Sequence, residues 1–280
     1  MASSMQPTVP SWQPFRLHNG QHLPSIGLGT FRIKDRDTIF LVVEAALDAG
    51  YRSFDTAAVY GNEQYIGEAL EKFLPKYDLT RDDVYVTSKL TKLGFAPDLY
   101  LIHFPGSARL DPKDENNKGL RHTAWSAMAE LCDTGRVSSI GVSNFTIQHL
   151  EELRKEYQND IPYCNKHSIQ LQGYHSLGGT SYSATLLKNT PFKHIADEHS
   201  VTPSQVLLTW SLQRGVAVIP KSTNSLHIKE NNTLNFRLSA EQMHAINSFT
   251  AEQTGLRQHV FSLTRPELLL DRRLQLYILH

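Results

Sequence analysis

Short apolar, β-branched runs alternate with helical stretches along most of this chain, and the alternation narrows the fold before any single residue is weighed. IGLGTF (26–31) is followed by TIFLVVEAALDAG (38–50), SFDTA (53–57) by NEQYIGEALEKFL (62–74), and VYVTSKL (84–90) by DLYLIHF (98–104). TAWSAMAELCDTG (123–135), SSIGVSN (138–144), TIQHLEELRKEY (146–157), IQLQGYHSL (169–177), TPSQVLLTWSLQRG (202–215) and VAVIPKS (216–222) continue the pattern. Such alternation gives a parallel sheet, either open and doubly wound or closed as a (β/α)8 TIM barrel of roughly 250 residues. An open sheet predicts a glycine-rich nucleotide fingerprint after the first strand, but Arg32-Ile33-Lys34-Asp35 stands there and no Gly-x-Gly-x-x-Gly occurs. Gly27 and Gly29 fall inside the strand, where small residues serve packing. The barrel is therefore the preferred α/β fold. Asn19-Gly20 within FRLHNGQHLP (15–24) adds an N-terminal β-hairpin. No composition break or linker divides the chain, so residues 15–280 read as one barrel domain behind a flexible arm at 1–14.

Two joints are too short for an ideal barrel. Only TKLGFAP (91–97) separates VYVTSKL from DLYLIHF, whereas a parallel crossover takes about a dozen residues or more. Between Tyr157 and Ile169 there is no room for both a strand and its returning helix. Seven strands are clear, so the barrel is expected to be incomplete.

Composition removes several functions. With 28 Lys+Arg against 28 Asp+Glu the chain has no basic surplus to meet the phosphates of a nucleic acid or an anionic membrane. No apolar stretch reaches the ~20 residues of a membrane span, and the first residues lack the basic start and apolar core of a secretory signal. Cys132 and Cys164 then read as reduced thiols in a cytoplasmic protein. Small-molecule chemistry remains.

In barrel enzymes the reacting groups gather at the C-terminal ends of the strands. The ends here carry Asp55 with Tyr60 just beyond, Lys89, His103, Ser143 with Asn144, Tyr174, and Lys221 with Ser222. Each alone has an ordinary structural explanation, such as a turn cap for Asp55 or a core histidine for His103. As a set, ionisable residues ending three successive apolar strands converge in one cleft, where burial requires partners. Tyr, Lys, Asp and His together fit proton transfer to a carbonyl oxygen. A phenol with a pKa of about 10 needs roughly 4 kcal/mol of differential stabilisation to reach neutrality, which a buried Lys89 beside Tyr60 could supply while Asp55 holds the ammonium. His103 would orient the carbonyl. The 13 His lack ligand spacing, so no metal site is expected and an organic hydride donor is the natural complement. Lys221 and Ser222 lie just before a helix start, either as a phosphate site or as a polar turn with a cap. Tyr174 is open to two readings as well, a stacking partner for a nicotinamide or a core aromatic.

LPSIGLGTF, GYRSFDTAAVYGNEQYIGEAL, VYVTSKL, LYLIHFP, IGVSNF and IPKSTNSLHIKEN together resemble the aldo-keto reductases, NADPH-linked barrels that reduce aldehydes and ketones. The resemblance runs from about residue 15 to 250. It implies that Asp55, Tyr60, Lys89 and His103 form the catalytic tetrad, with Tyr60 as proton donor. It implies further that Ser143, Asn144 and Tyr174 hold the nicotinamide and that Thr30 is a cofactor contact. Lys221, Ser222, His227, Glu230 and Asn231 correspond to the adenosine-phosphate end, and Phe31 with His103 to the carbonyl pocket.

The departures carry expectations of their own. The family's helix between its third and fourth strands is missing, as is the sixth strand with its cofactor-contacting Gln. His227 stands where the family commonly has an Arg against the 2′-phosphate, so NADH becomes possible beside NADPH. The C-terminal RPELLLDRRLQLYILH is Leu-rich and unlike the family's substrate loop; it is expected to pack on the barrel or on a partner. These departures fit a shortened, alternatively spliced reductase. A second reading is a non-catalytic interaction or nucleotide-binding protein that keeps the barrel surface, and a third is a barrel isomerase or lyase using only the phosphate site. The third leaves the Tyr, Lys and His set unexplained. The resemblance implies a small carbonyl compound as the substrate.

Overall fold

The computed structural model describes residues 12–17, 19–90, 97–107, 110, 111, 113–156, 170–177, 187, 188, 190–252 and 274–277. β1 (Phe15–Arg16) and β2 (His22–Leu23) form the hairpin, with Phe15 opposite Leu23 and Gly20 at φ 85° in the turn. Leu17 and Leu23 pack with Tyr85, Leu99, Leu101 and Ala217 in a buried cluster, so the hairpin plugs the N-terminal end of the barrel. Asn19 ties the plug down, donating to Ser138 O at 3.0 Å and Ser139 Oγ at 2.9 Å. The Trp12 indole donates to Leu234 O at 3.1 Å, while residues 1–11 of the expected arm lie outside the described residues.

β3 (Leu28–Gly29), β4 (Ser53–Asp55), β5 (Tyr85–Lys89), β6 (Leu99–Ile102) and β7 (Ser139–Ser143) run parallel, each beside the next. β8 (Gln170–Gly173) pairs in parallel with β9 (Val216–Val218). The sheet then closes, because Ile26 bridges Val218 and Gly29 N donates to Pro220 O at 3.1 Å. Close neighbours on either side explain the two glycines, β4 for Gly27 and the seam for Gly29. A Cβ on Gly27 would meet Ser53 Oγ at 2.8 Å, and one on Gly29 would meet Ile219 O at 2.7 Å.

The helices cover the outside for reasons written in their spacing. α1 (Arg36–Asp48) starts on an Asp35 cap that accepts from Thr38 N at 2.8 Å and buries Ile39, Val42, Val43, Ala46 and Leu47 on one stripe. α2 (Glu63–Phe73) buries Ile66, Ala69, Leu70 and Phe73 at the same spacing, and both stripes share a core with Phe54 and Val86. α3 (Asn116–Asp133) and α4 (Ile147–Glu156) supply Trp125, Met128, Leu150 and Leu153 to a second cluster with Ile140 and Val142. α5 (Thr190–His199) and α6 (Pro203–Gln213) pack through Phe192, Ile195, Val206 and Trp210. α7 (Ser225–Asn232) and α8 (Ala240–Glu252) complete the shell.

β5 and β6 pair in parallel although residues 90–98 leave no room for the usual crossover helix. The other short joint has a different outcome. The gap expected between β7 and β8 is occupied by a strand of the C-terminal segment, β10 (Leu274–Tyr277), antiparallel to both neighbours. The order β3-β4-β5-β6-β7-β10-β8-β9 thus restores an eight-stranded wall to a chain in which seven strands were legible. No described helix is long and apolar enough to cross a membrane.

Candidate active site

The C-terminal ends of β4, β5 and β6 bring together three of the four expected catalytic residues, and the turn after β4 adds the fourth. Alternation along a strand turns every second side chain into the barrel. Asp55 and Lys89 therefore face inward while Phe54 and Ser88 do not, and the polar pair is buried, with Lys89 0% and Asp55 3% exposed. Lys89 Nζ donates to both carboxylate oxygens of Asp55 at 2.8 and 2.9 Å and to Thr56 O at 2.7 Å. Its remaining reach is toward Tyr60, whose hydroxyl lies at 3.4 Å. Tyr60 arrives there because a short 3-10 turn, Ala58–Tyr60, follows β4 and closes on Gly61 in the left-handed region. The imidazole of His103 stands edge-on to the Tyr60 ring with centroids 5.8 Å apart.

Burial governs the electrostatics. It pushes the Asp55 carboxyl up and the Lys89 ammonium down, while the attraction between them opposes both shifts. The sequence predicts that Lys89 would pull the Tyr60 phenol down, but burial, reinforced by the charges of Asp55 and Tyr174, raises it. Tyr60 is consequently a protonated donor at neutral pH. Burial, with Lys89 adding to it, lowers His103 to about 3, so its imidazole is neutral and carries one N–H to give.

A second polar group lines the wall beyond β7. Asn144 takes a left-handed φ of 62°, donates to His103 O at 2.8 Å and Ser143 Oγ at 3.0 Å, and accepts from Tyr174 OH at 2.8 Å. Thr30 is fully buried and donates to Asp55 O at 2.9 Å. Around the mouth Phe31, Tyr60, His103, Phe104 and His175 form an aromatic rim, with Phe31 and Tyr60 centroids at 5.1 Å and the His103 and Phe104 rings stacked at 4.6 Å. Phe31 is 41% and Phe104 57% exposed, as an apolar entrance requires.

The expected adenosine-phosphate residues gather after β9. Lys221 is exposed, Ser222 Oγ accepts from Asn224 N at 3.1 Å, and Asn224 caps α7 by accepting from Leu226 N and His227 N. His227 is exposed in the first turn of α7, Glu230 is half-buried and Asn231 is buried one turn further on. An exposed cation beside a helix N-terminus suits a phosphate. Among the described residues no cluster of three His, Cys, Asp or Glu could hold a metal ion.

Sequence reasoning missed Asn62. It sits at the start of α2, yet its side chain makes no cap bond. Fully buried, Asn62 donates to Thr30 O at 3.1 Å and Ile33 O at 2.8 Å and accepts from Thr56 Oγ1 at 2.6 Å. It thereby fixes the turn that carries Phe31 against the strand that carries Asp55. It also missed Gln172, which is fully buried on the inward row of β8 with both amide atoms unpartnered.

Comparison with known proteins identifies the family. Residues 25–97, 90–162 and 152–251 match the Aldo/keto reductase family. The chain is 32% identical to glyoxal reductase of Bacillus subtilis, covering 90% of this chain and 96% of that protein. It is 34% identical to aldose reductase B of Dictyostelium discoideum, covering 85% and 92% respectively. An aldo/keto reductase crystal structure from Brucella melitensis superposes with a TM-score of 0.71 at 33% identity over 85% of this chain and 98% of that one. With matching segments across most of its length and a shared barrel, the chain, somewhat shortened relative to these proteins, belongs to the aldo/keto reductase family.

Proposed function

We propose that this chain reduces small aldehydes and ketones with NADPH, with Tyr60 as the proton donor. The observation that carries the reading is the buried contact of Lys89 with both Asp55 and the Tyr60 hydroxyl beneath an aromatic mouth. Ser143, Asn144, Tyr174 and Thr30 would hold the nicotinamide half, and Lys221, Ser222, His227, Glu230 and Asn231 the phosphate-bearing half. The unpartnered amide of Gln172 and the exposed Lys221 beside a helix N-terminus are the kinds of group such a ligand would satisfy. When bound, the nicotinamide supplies a hydride to the carbonyl carbon.

Everything else falls to the protein. Neutral His103 gives its N–H to the carbonyl oxygen and fixes its direction. Tyr60 passes its proton to that oxygen as negative charge grows there. The phenolate left behind lies 3.4 Å from Lys89 Nζ, and Asp55 keeps that ammonium in place. The rim of Phe31 and Phe104 selects apolar substituents on the carbonyl compound. The glyoxal reductase and the aldose reductase among the relatives support carbonyl compounds as the substrate class.

Tyr60→Phe tests the role of the phenol. Turnover of a carbonyl substrate is expected to fall by about 10²- to 10⁴-fold, while the NADPH-induced rise in melting temperature is retained. A variant that keeps most of its rate rules Tyr60 out as the donor.

A further inference from the structure

The strand β10 has no counterpart in the alternating pattern of the chain, yet it occupies the one break in the barrel wall. It pairs Gln275 and Leu276 with Ser143 and Val142 of β7, and Leu274 through Tyr277 with Gly173 back to Gln170 of β8. Without it β7 and β8 would each present a row of unpaired backbone donors and acceptors. The break falls at a functional place. Asn144 follows β7 and Tyr174 follows β8, and the 2.8 Å bond from Tyr174 OH to Asn144 spans the width that β10 fills. Register places Gln275 between Ser143 and Gln172, two residues of the inward row, and Gln172 is fully buried with neither amide atom partnered.

We propose that residues 274–277 are a substitute wall strand whose docking sets the spacing of Ser143, Asn144 and Tyr174, so that the nicotinamide half of the cofactor site exists only while the C-terminal segment is seated. The proposal rests on the reductase reading for its ligand but not for the seating of the strand. The phosphate-bearing half is built on β9 and α7, one strand beyond β8, and is expected to bind independently of the strand.

Seating is tested without any cofactor. In a Leu171→Cys/Leu276→Cys variant the two cysteines are register partners and are expected to oxidise to a disulfide, mapped by peptide mass spectrometry. Leu276→Pro removes a ladder donor in mid-strand and is expected to lower the melting temperature of the cofactor-free chain. Absence of the cross-link together with an unchanged melting temperature overturns the proposal, since a proline in an undocked tail costs nothing.

Coupling is tested by titrating two probes into the full chain and into Leu276→Pro. NADPH affinity is expected to fall by more than tenfold in the variant, while adenosine 2′,5′-bisphosphate, which lacks the nicotinamide, binds both equally. An equal loss for the two probes, or none for either, overturns the coupling. If the cross-link forms but the full chain binds no NADPH, the reductase reading and the coupling fail together and the substitute strand stands.

Discussion

Lys89 is a fully buried cation, which a protein retains only when its donors are satisfied. Both Asp55 oxygens and Thr56 O do this, and losing one partner of such a pair typically costs about 3–5 kcal/mol. His103 makes a different contribution. Its folded pKa, about 3, lies below the unfolded value near 6.5, so the unfolded chain binds the extra proton between those two pH values. Stability from this group is full above pH 6.5 and is lost as the pH falls toward 3. The melting temperature is therefore expected to drop between pH 6.5 and 4.5, and His103→Gln to flatten the slope. Some slope persists, because burial also lowers His149. A slope unchanged by the substitution would remove His103 as its source. The identities of Asp55, Tyr60, Lys89 and His103 were legible at strand ends, because an ionisable residue closing an apolar run has few places to go. Their pKa directions were not legible, since those follow from how deeply the barrel buries each group.

At the scale of elements, the start of α7 shows how a loop, a cap and a cation converge. Asn224 satisfies the free N–H groups of Leu226 and His227, which leaves Lys221 and His227 as the exposed basic side chains before and within the first turn. An imidazole offers a 2′-phosphate fewer donors than the forked guanidinium does, and a charge-assisted bond is worth roughly 1.5–3 kcal/mol. His227→Arg is expected to raise the preference for NADPH over NADH by about ten- to a hundredfold, measured as the ratio of kcat/KM values. An unchanged ratio would place the discriminating contact elsewhere. α2, α4 and α6 formed within the helical stretches expected for them, because a 3.6-residue stripe and a cap act locally, whereas α1 starts two residues early at Arg36 and α3 seven residues early at Asn116. α5 and α8 were not anticipated, and the role of Asn62 was not legible because its partners, Thr30, Ile33 and Thr56, come from elsewhere in the chain.

The whole molecule depends on closing a sheet into a ring, and the closing seam lies at Gly27 and Gly29. Gly29→Ala drives a Cβ to 2.7 Å from the Ile219 carbonyl, a backbone atom that cannot swing aside. A loss of about 1–3 kcal/mol is expected in denaturant unfolding. Gly67→Ala, in open space within α2, is expected to gain up to about 1 kcal/mol. Equal effects at the two sites would mean that the seam does not constrain Gly29.

By itself the sequence determined the βα alternation, the hairpin, the seven parallel strands and the residues at their ends, because hydrophobic periodicity and turn chemistry act over a few neighbours. Tertiary structure alone decided that the ring closes. The LQLY segment does alternate apolar and polar residues, but a single four-residue strand carries too little local signal to name its partners. Its place is set by two unpaired edges more than a hundred residues away, a demand for hydrogen bonds that exists only once the rest of the barrel has formed.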